Sequence, residues 1–377
     1  MQSLVRTALA LIVAIGALYL YDTRHRRIDA AAFSIQNSVT LGREIWKGKV
    51  YTASEVGDIM KMVDANTDPF PTLNGCAPLV VLWLGNSQLH FINQAKSGDH
   101  LAPYWLRHAV KCPDQTLPLG VSLPNANLQE HLVLEHYITR RLPVRMILLE
   151  LCFDNMREDG LRVEFKESLK SDERDSLRAN RDTKSILETA EAEWQKGGGN
   201  DPANSGSGLT GFAQQSLEDR LDTELSSLSP LWNERGTLRN YVLSDLYYLR
   251  NYLLGINPST VRKMIPPRYE RNMQALTAIL RDAAQEQIEV IGYVAPIRQD
   301  RPLPYDGVEY ARWKSQLAAL FVQNHAQLLN LEKLVPSNLW GTYHEDDVDF
   351  MHFQGPGHQI VARALLPYVE NAEGASQ

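Results

Sequence analysis

The sequence predicts an α/β protein in which helices cover both faces of a parallel sheet. Three apolar runs, 78–84, 144–153 and 288–295, have the continuous character of strands that are buried on both faces. Each run is preceded by a stretch in which charged and apolar residues interleave as in a helix, and strands separated by helices form parallel sheets. With 377 residues, 44% of them hydrophobic, the chain can bury a full core.

The N-terminus has the character of a transmembrane helix. Residues 7–21 are uncharged and lie between Arg6 and Asp22. As a helix they would span about 22 Å at ~1.5 Å per residue, so flanking Arg and Tyr residues would have to reach the interfaces of a ~30 Å core. We interpret residues 1–27 as an uncleaved membrane anchor. A cleaved signal peptide is the alternative, because the alanines at 30–32 offer an Ala-x-Ala site.

Charge excludes one class of partner and bears on orientation. The net charge of -7 and the pI near 5.8 provide no basic surface for a nucleic acid. Three arginines follow the apolar segment and one precedes it, so the positive-inside rule would keep the following domain in the cytoplasm. The cysteines, Cys76, Cys112 and Cys152, lack the paired spacing of a zinc site. Cys76 and Cys112 could pair outside the cytoplasm, but we favour packing as small apolar residues.

A charged, helix-prone region lies between the second and third runs, from about residue 160 to 285. It is interrupted by GGGNDPANSGSG at 197–208, which is typical of a flexible loop. The region is either a cap over a site or a solvated excursion that decorates the sheet. We therefore expect residues 33–377 to form one α/β domain with a helical insertion.

Ser87 follows the first run, at the edge of the sheet where ligands bind in open parallel sheets. Gly85 permits a sharp turn out of the strand, and Ser87 then begins a predicted helix that continues through Leu89 and Ile92. Amides at a helix N-terminus can stabilise developing negative charge. The alternative is that Ser87 only caps this helix.

His352 is the best placed of the ten histidines to activate a serine. A serine nucleophile needs a base, normally an imidazole that a carboxylate holds in one tautomer. Asp349 precedes His352 by three residues, so both side chains can lie on one side of a single turn. The spacing alone is weak, but Gly-Pro-Gly at 355–357 then leads into a final amphipathic helix.

These blocks resemble those of the SGNH (GDSL-like) hydrolases and acyltransferases. GNSQ at 85–88 takes the place of the serine block after the first strand of that family, and DFMH at 349–352, followed by GH at 357–358, takes the place of the block before its last helix. The resemblance implies a flavodoxin-like parallel sheet. It also implies a catalytic triad of Ser87, Asp349 and His352 that requires no metal or organic cofactor.

The oxyanion hole is the part of this pattern that the sequence lacks. No clean Gly-x-Asn-Asp block is present, and Asn and Gln flank the serine where the family usually has Asp and Leu. Asn125 or Asn127, after a short apolar stretch, and Asn155, after the second run, are the candidates. Each could instead be a turn or capping residue. The amide of Ser87 is a further donor.

Charged residues after the second and third runs are expected at the same edge of the sheet. Arg298 could hold an anionic substrate by a bidentate contact, although an ordinary ion pair with Asp300 is the alternative. Asp154 is a second candidate for substrate binding, and Arg157 and Asp159 lie in the same loop.

Within the superfamily, the chain is most similar to membrane-anchored proteins that modify cell-envelope polymers, namely the D-alanyl transfer protein and the alginate O-acetylation proteins. The anchor, the Gly-x-Ser-x block and APIRQDRPLPY after the third run carry this likeness. It implies an extracytoplasmic (periplasmic) O-acyltransferase that moves acetyl or D-alanyl onto a glycan or polymer through acyl-Ser87. It further implies a membrane-bound O-acyltransferase partner. This orientation disagrees with the arginine count. A carbohydrate esterase and a non-catalytic membrane-tethered scaffold are the alternatives.

Overall fold

The computed structural model describes residues 39–41, 44–67, 78–195, 261–342 and 348–375. The anchor expected at 1–27 and the glycine-rich stretch at 197–208 lie outside these ranges. Within the ranges, none of the helices combines the length and the apolar character needed to cross a bilayer.

The described strands and helices alternate over most of the chain. The strands are β1 Val39–Leu41, β2 Ile45–Trp46, β3 Lys49–Val50, β4 Thr52–Ala53, β5 Leu79–Gly85, β6 Phe91–Asn93, β7 Thr116–Ser122, β8 Val144–Leu151, β9 Glu289–Val294, β10 Gln327–Asn330, β11 Trp340–Thr342 and β12 Val348–Phe353. The α-helices are α1 Val56–Ala65, α2 Ser87–His90, α3 Ala102–Ala109, α4 Leu128–Thr139, α5 Glu164–Ser168, α6 Ser171–Ala179, α7 Arg181–Gln195, α8 Pro266–Gln285, α9 Gly307–Gln323 and α10 Gly355–Ala375. Short 3₁₀ turns occur at Phe153–Met156 and Ser337–Leu339.

The central sheet has the order β10-β9-β8-β5-β7-β4, and every neighbouring pair is parallel. Without the two-residue β4, this is the flavodoxin-like order in which the chain leaves its first strand on one side and then crosses to the other. The crossing places a topological switch point between β5 and β8. Ligands of open α/β sheets bind outside the carboxyl ends of the strands at such a point. The prediction of a parallel α/β sheet is confirmed.

Strand β5 separates two hydrophobic cores. Its even-numbered residues, from Val80 to Leu84, pack into the core that includes α1, α4, α8 and α9. Its odd-numbered residues, from Leu79 to Trp83, pack into the core that includes α3 and α10. Successive side chains of a strand point to opposite faces, so a strand covered on both faces must be apolar throughout. All seven positions of β5 are buried.

The structure corrects the extent of the predicted strands. The three runs form β5, β8 and β9, each within one or two residues of the prediction. The sequence analysis did not identify β7 because TLPLGVS contains proline and glycine, which are typical of turns. Pro118 is tolerated because β4 pairs only with Gly120 and Val121, so β7 has no partner on that side at Pro118.

The region predicted as a helical insertion is helical where it is described. Helices α5, α6 and α7 follow β8, and residues 196–260 lie outside the described ranges. Helix α8 belongs to the covering of the sheet, because it packs against α4 and its Leu276 and Ile279 are fully buried. The described α8 therefore has a role in the core.

Gly292 in β9 is a position where any side chain would overfill the core. A Cβ atom there would lie 2.3 Å from Cζ of Phe321, a fully buried residue of α9. We expect Gly292→Ala to lower the free energy of unfolding by about 1–3 kcal/mol, the usual cost of overpacking. Urea denaturation measures the change. Adding Phe321→Leu should recover part of the loss in a double-mutant cycle, and equal stability of Gly292→Ala and wild type would contradict this packing.

Candidate active site

The turn after β5 presents Ser87 at the carboxyl edge of the sheet. Gly85 is needed there, because an added Cβ would lie 2.9 Å from Cδ2 of Leu89 and 3.1 Å from Oε2 of Glu150. Asn86 is the N-cap of α2, and its Oδ1 accepts a hydrogen bond of 2.9 Å from the amide of Gln88. Ser87 is the first residue of the helix and is partly exposed. The alternative interpretation of Ser87 as the cap is therefore wrong.

Helix α2 is shorter than the sequence predicts. It ends at His90, and the next three residues form β6, which pairs with β1 in antiparallel orientation. The expected helix through Ile92 is replaced by a strand because this pairing takes up the main-chain groups of β6. The segment 87–93 thus begins with Ser87 and ends with Asn93, and its residues Gln88 and Asn93 donate hydrogen bonds to β12.

Asp349 and His352 form a hydrogen-bonded pair, as the sequence predicts. Nδ1 of His352 lies 2.9 Å from Oδ2 of Asp349, whose side chain is 1% exposed. The other oxygen, Oδ1, accepts hydrogen bonds from the amides of Met351 and His352. Both residues lie in β12, whose register against β11 shifts between Val348 and Phe353. The two amide hydrogen bonds to Oδ1 turn the chain there, so that both side chains lie on one side, as the spacing predicts. A carboxylate beside Nδ1 fixes the tautomer that leaves Nε2 as the basic nitrogen.

The hydrogen bonds to Asp349 keep it ionised. Burial alone would raise the pKa of this carboxyl, but the hydrogen bond from His352 and the two main-chain amides outweigh that effect and lower it. Because the pKa of Asp349 in the folded protein is below the ordinary value for Asp, the ionised carboxylate stabilises the fold at every pH above that ordinary value. That stabilisation is lost as the pH falls through the folded-state pKa.

Asn93 is a further member of the site that the sequence analysis missed. It is fully buried, and its Nδ2 donates a hydrogen bond of 2.8 Å to Oδ2 of Asp349, the oxygen that also contacts His352. Gly341 makes room for it, because a Cβ atom there would lie 1.8 Å from Cγ of Asn93. The sequence gives no signal for this contact, since 256 residues separate its partners.

Removing the Asn93 amide should impair catalysis without removing the pair itself. We expect Asn93→Ala to lower kcat about 10- to 100-fold, because a hydrogen bond to a charged group contributes about 1.5–3 kcal/mol. Ester turnover measures the effect. A circular dichroism melt has to show that the variant is folded. A folded variant with wild-type kcat would contradict a role for Asn93 in holding Asp349.

Three further contacts join the Ser87 segment to the His352 segment. Nε2 of Gln88 donates to the carbonyls of Met351 and Pro296, both at 3.0 Å. The ring of Phe91 meets the ring of His352 edge to face, with 5.4 Å between centroids. Nε2 of His358 lies 3.0 Å from the Phe91 carbonyl. The two blocks that the sequence identified are thus adjacent.

A second serine and histidine lie together nearby but are not equipped for catalysis. Oγ of Ser122 lies 2.7 Å from Nδ1 of His90, and both side chains are 2% exposed. Burial, reinforced by the nearby His352, lowers the pKa of His90 to about 3. His90 is therefore neutral at physiological pH and enclosed. We interpret the pair as structural, which makes Ser122 a matched control for Ser87.

The predicted oxyanion asparagines hold loops in place. Asn127 caps α4 through a capping box with Glu130, and its Nδ2 donates to the Gly160 carbonyl. Asn155 accepts from the Cys152 amide and donates a hydrogen bond of 2.6 Å to the Ala126 carbonyl. Asn125 has a φ of 53°, which is typical of a turn asparagine. These contacts agree with the capping and turn alternatives, and an oxyanion role stays a prediction.

The predicted substrate-binding residues also make structural contacts. Arg298 is 8% exposed, pairs with Asp300 at 2.7 Å and donates to the carbonyl of Gly341. Asp154 accepts hydrogen bonds from Arg262 at 2.6 Å and from Tyr305 at 2.9 Å. The contacts of Arg298 match the ion-pair alternative. Its hydrogen bond to the Gly341 carbonyl holds the part of β11 that packs against Asn93. Substrate binding by Arg298 or Asp154 stays a prediction.

The cysteines differ from the expectation of simple packing. Cys112 is disulfide-bonded, whereas Cys152 is a buried free thiol. The third cysteine, Cys76, lies outside the described residues. The packing role that the sequence favoured for Cys112 is therefore wrong. Cys152 instead lies in the site, where Nδ2 of Asn86 donates to its sulfur at 2.6 Å.

Comparisons with known proteins give only distant likenesses. No protein-family model matches the chain, and no curated protein is significantly similar to it. Among solved structures, it is similar to a provisionally assigned acylhydrolase from Bacteroides fragilis, with 10% identity, a TM-score of 0.36 and coverage of 85% of this chain and 100% of the other. A GDSL-like lipase from Bacteroides thetaiotaomicron gives 10% identity, a TM-score of 0.37 and coverage of 84% and 100%. The functional proposal therefore rests on the geometry of the site.

Proposed function

We propose that the chain is a serine enzyme of the SGNH type that transfers acyl groups through Ser87. One observation carries the proposal: the Asp349–His352 pair of β12 is joined, across some 260 residues, to the segment that begins with Ser87 at the switch point of the sheet. Nucleophilic acyl transfer requires a hydroxyl within reach of an oriented imidazole, and the hydrogen bonds of Gln88 and Asn93 to β12 bring the partly exposed Ser87 segment to the strand that carries His352.

The proposed reaction has two steps. Nε2 of His352 accepts the Ser87 proton while Oγ attacks the acyl carbonyl, and the imidazolium then returns a proton to the departing alcohol or thiol. An acceptor hydroxyl next attacks acyl-Ser87, with His352 again accepting and then returning the proton. Asp349 stays ionised throughout and stabilises the imidazolium. The Ser87 amide supplies one oxyanion donor, and Asn155 or Asn127 the second.

The finer proposal concerns the acceptor and the compartment. The likeness of the expected anchor, the Gly-x-Ser-x block and APIRQDRPLPY to membrane-anchored envelope proteins supports transfer of a small acyl group, acetyl or D-alanyl, onto a cell-envelope glycan, with the group supplied by a membrane-bound O-acyltransferase. The disulfide at Cys112 supports an extracytoplasmic domain, because disulfides persist in oxidising compartments. The expected anchor at 1–27 would hold this domain at the membrane surface.

Product analysis tests the proposed activity. Full-length protein in detergent is incubated with p-nitrophenyl acetate and increasing concentrations of an oligosaccharide, and mass spectrometry quantifies free acetate and acetylated sugar. Acetylated sugar that disappears in Ser87→Ala but persists in the control Ser122→Ala would support transfer. Acetate alone, with the same dependence on Ser87, would favour a carbohydrate esterase. A folded wild type that forms neither product with this ester or with its D-alanyl counterpart would leave the scaffold alternative.

A further inference from the structure

Glu150 is a carboxyl group buried directly beneath the Ser87 turn. It lies near the carboxyl end of β8 and is 2% exposed. The amide of Asn86, the residue before Ser87, donates to Oε1 at 3.4 Å. The hydroxyl of Tyr293 donates to Oε2 at 3.2 Å, and this hydroxyl accepts a hydrogen bond of 2.9 Å from Nε1 of Trp83. The three strands β5, β8 and β9 thus meet at one carboxylate.

Among the titratable groups that lie around it, Glu150 is the one whose pKa is near neutral pH. Burial raises its pKa to about 7, and the hydrogen bonds from Asn86 and Tyr293 only partly oppose this. Burial holds the pKa of Tyr293 and of Cys152 well above their ordinary values. On the α4 side, burial lowers the pKa of His131, which contacts the Gly85 carbonyl, to about 4. The hydrogen bonds described for Glu150 include none from a cation.

We propose that Glu150 is a positioning residue for Ser87, and that its ionised carboxylate holds the turn 85–87 in the reactive conformation. The inference rests on the proposed function. An ionised carboxylate accepts from both donors at once, one on each oxygen. A protonated carboxyl carries an O–H that needs an acceptor, and the Tyr293 hydroxyl already donates towards it. Protonation therefore changes the network that fixes the Asn86 amide and with it the nucleophile.

The pH dependence of Ser87 reactivity tests this role. The second-order rate of labelling by a fluorophosphonate is measured from pH 5 to 9 on the full-length protein. If the turn needs ionised Glu150, the wild-type rate should fall between pH 8 and pH 5 by about tenfold more than the rate of a variant that lacks this carboxyl. Glu150→Gln lacks this titration, so it should be labelled about tenfold more slowly than wild type at pH 8 and at a similar rate at pH 5.

Glu289→Gln is the matched control. Glu289 is a half-buried carboxyl at the start of β9, opposite Met146 at the other end of the sheet, and burial also raises its pKa. Glu289→Gln should retain the wild-type pH profile of labelling. Infrared difference spectra between pH 5 and 9 give a second readout. Burial also raises the pKa of Glu135, so the band of Glu150 is identified as the buried carboxyl band that Glu150→Gln loses and Glu289→Gln keeps.

The outcomes separate the two proposals. A pH profile of labelling that is the same in wild type and Glu150→Gln would overturn the role of Glu150 and leave the proposed function intact. A folded wild type that is not labelled at any pH would overturn the proposed function, and the role of Glu150 with it. If Glu150→Gln does not fold, Tyr293→Phe removes the hydrogen bond that lowers the pKa of Glu150, so the fall in labelling should move to higher pH, and an unchanged profile would overturn the role of Glu150.

Discussion

Ser87→Ala is expected to lower kcat for ester cleavage about 10⁴- to 10⁶-fold, because removing the nucleophile of such a triad abolishes the acyl-enzyme route. The hydroxyl is partly exposed on the first residue of α2, and Asn86 caps that helix. The substitution therefore removes no cap, and its effect should appear in kcat rather than in stability. Hydrolysis of p-nitrophenyl acetate measures kcat, and thermal denaturation measures stability.

Ser122→Ala is the control for this experiment. Ser122 is also a serine beside a histidine, but it is enclosed next to a neutral His90. We expect Ser122→Ala to cost about 1–3 kcal/mol of stability through the lost hydrogen bond and to retain most of the esterase activity. If Ser87→Ala were as active as Ser122→Ala, Ser87 would not be the nucleophile.

Asp349→Asn is expected to lower kcat about 10⁴-fold, with the fold retained. The carboxylate accepts from the His352 ring, from Asn93 and from two main-chain amides. An amide in its place can present Nδ2 to Nδ1 of His352, which favours the tautomer with the proton on Nε2. In that tautomer Nε2 cannot accept the Ser87 proton, so the variant should react slowly with a fluorophosphonate and lose ester turnover.

The loss in Asp349→Asn should persist at every pH at which wild type is active. Because hydrogen bonds lower the pKa of Asp349, this carboxylate remains ionised well into the acid range, and protonating it does not set the acid limb. Asp114→Asn, which changes a largely exposed carboxylate, should be indistinguishable from wild type. Full turnover by Asp349→Asn at high pH would contradict the tautomer role.

The parts of the fold that the sequence predicted are those in which burial on both faces fixes the composition. Strands β5, β8 and β9 are apolar runs because helices cover both sides of them. The position of Ser87 at the carboxyl edge of the sheet was predicted from the first of these strands. Strand β7 was missed because Pro118 is atypical of a strand. Helix α2 was predicted too long because the pairing of β6 with β1 is a tertiary contact, which local helix propensity does not include.

In the candidate site, the sequence predicted Ser87 and the Asp349–His352 pair but not the residues that hold them in place. The spacing of Asp349 and His352 identified the pair, and a local turn within the irregular strand β12 brings the two side chains together. Asn93 could not be identified, because only the fold brings it to Asp349. Glu150 did carry a signal, since a carboxylate inside the apolar run at 144–153 must find partners once it is buried. Those partners, the Asn86 amide and Tyr293, come from two other strands.

Mapping a fluorophosphonate adduct tests the central claim most directly. The full-length protein is labelled at pH 8 and digested, and tandem mass spectrometry assigns the modified residue. We predict a single adduct on Ser87 that is absent from Ser87→Ala and greatly slowed in Asp349→Asn. An adduct on Ser122 or another residue, or no adduct on a folded wild-type protein, would contradict the assignment of Ser87 as the activated nucleophile.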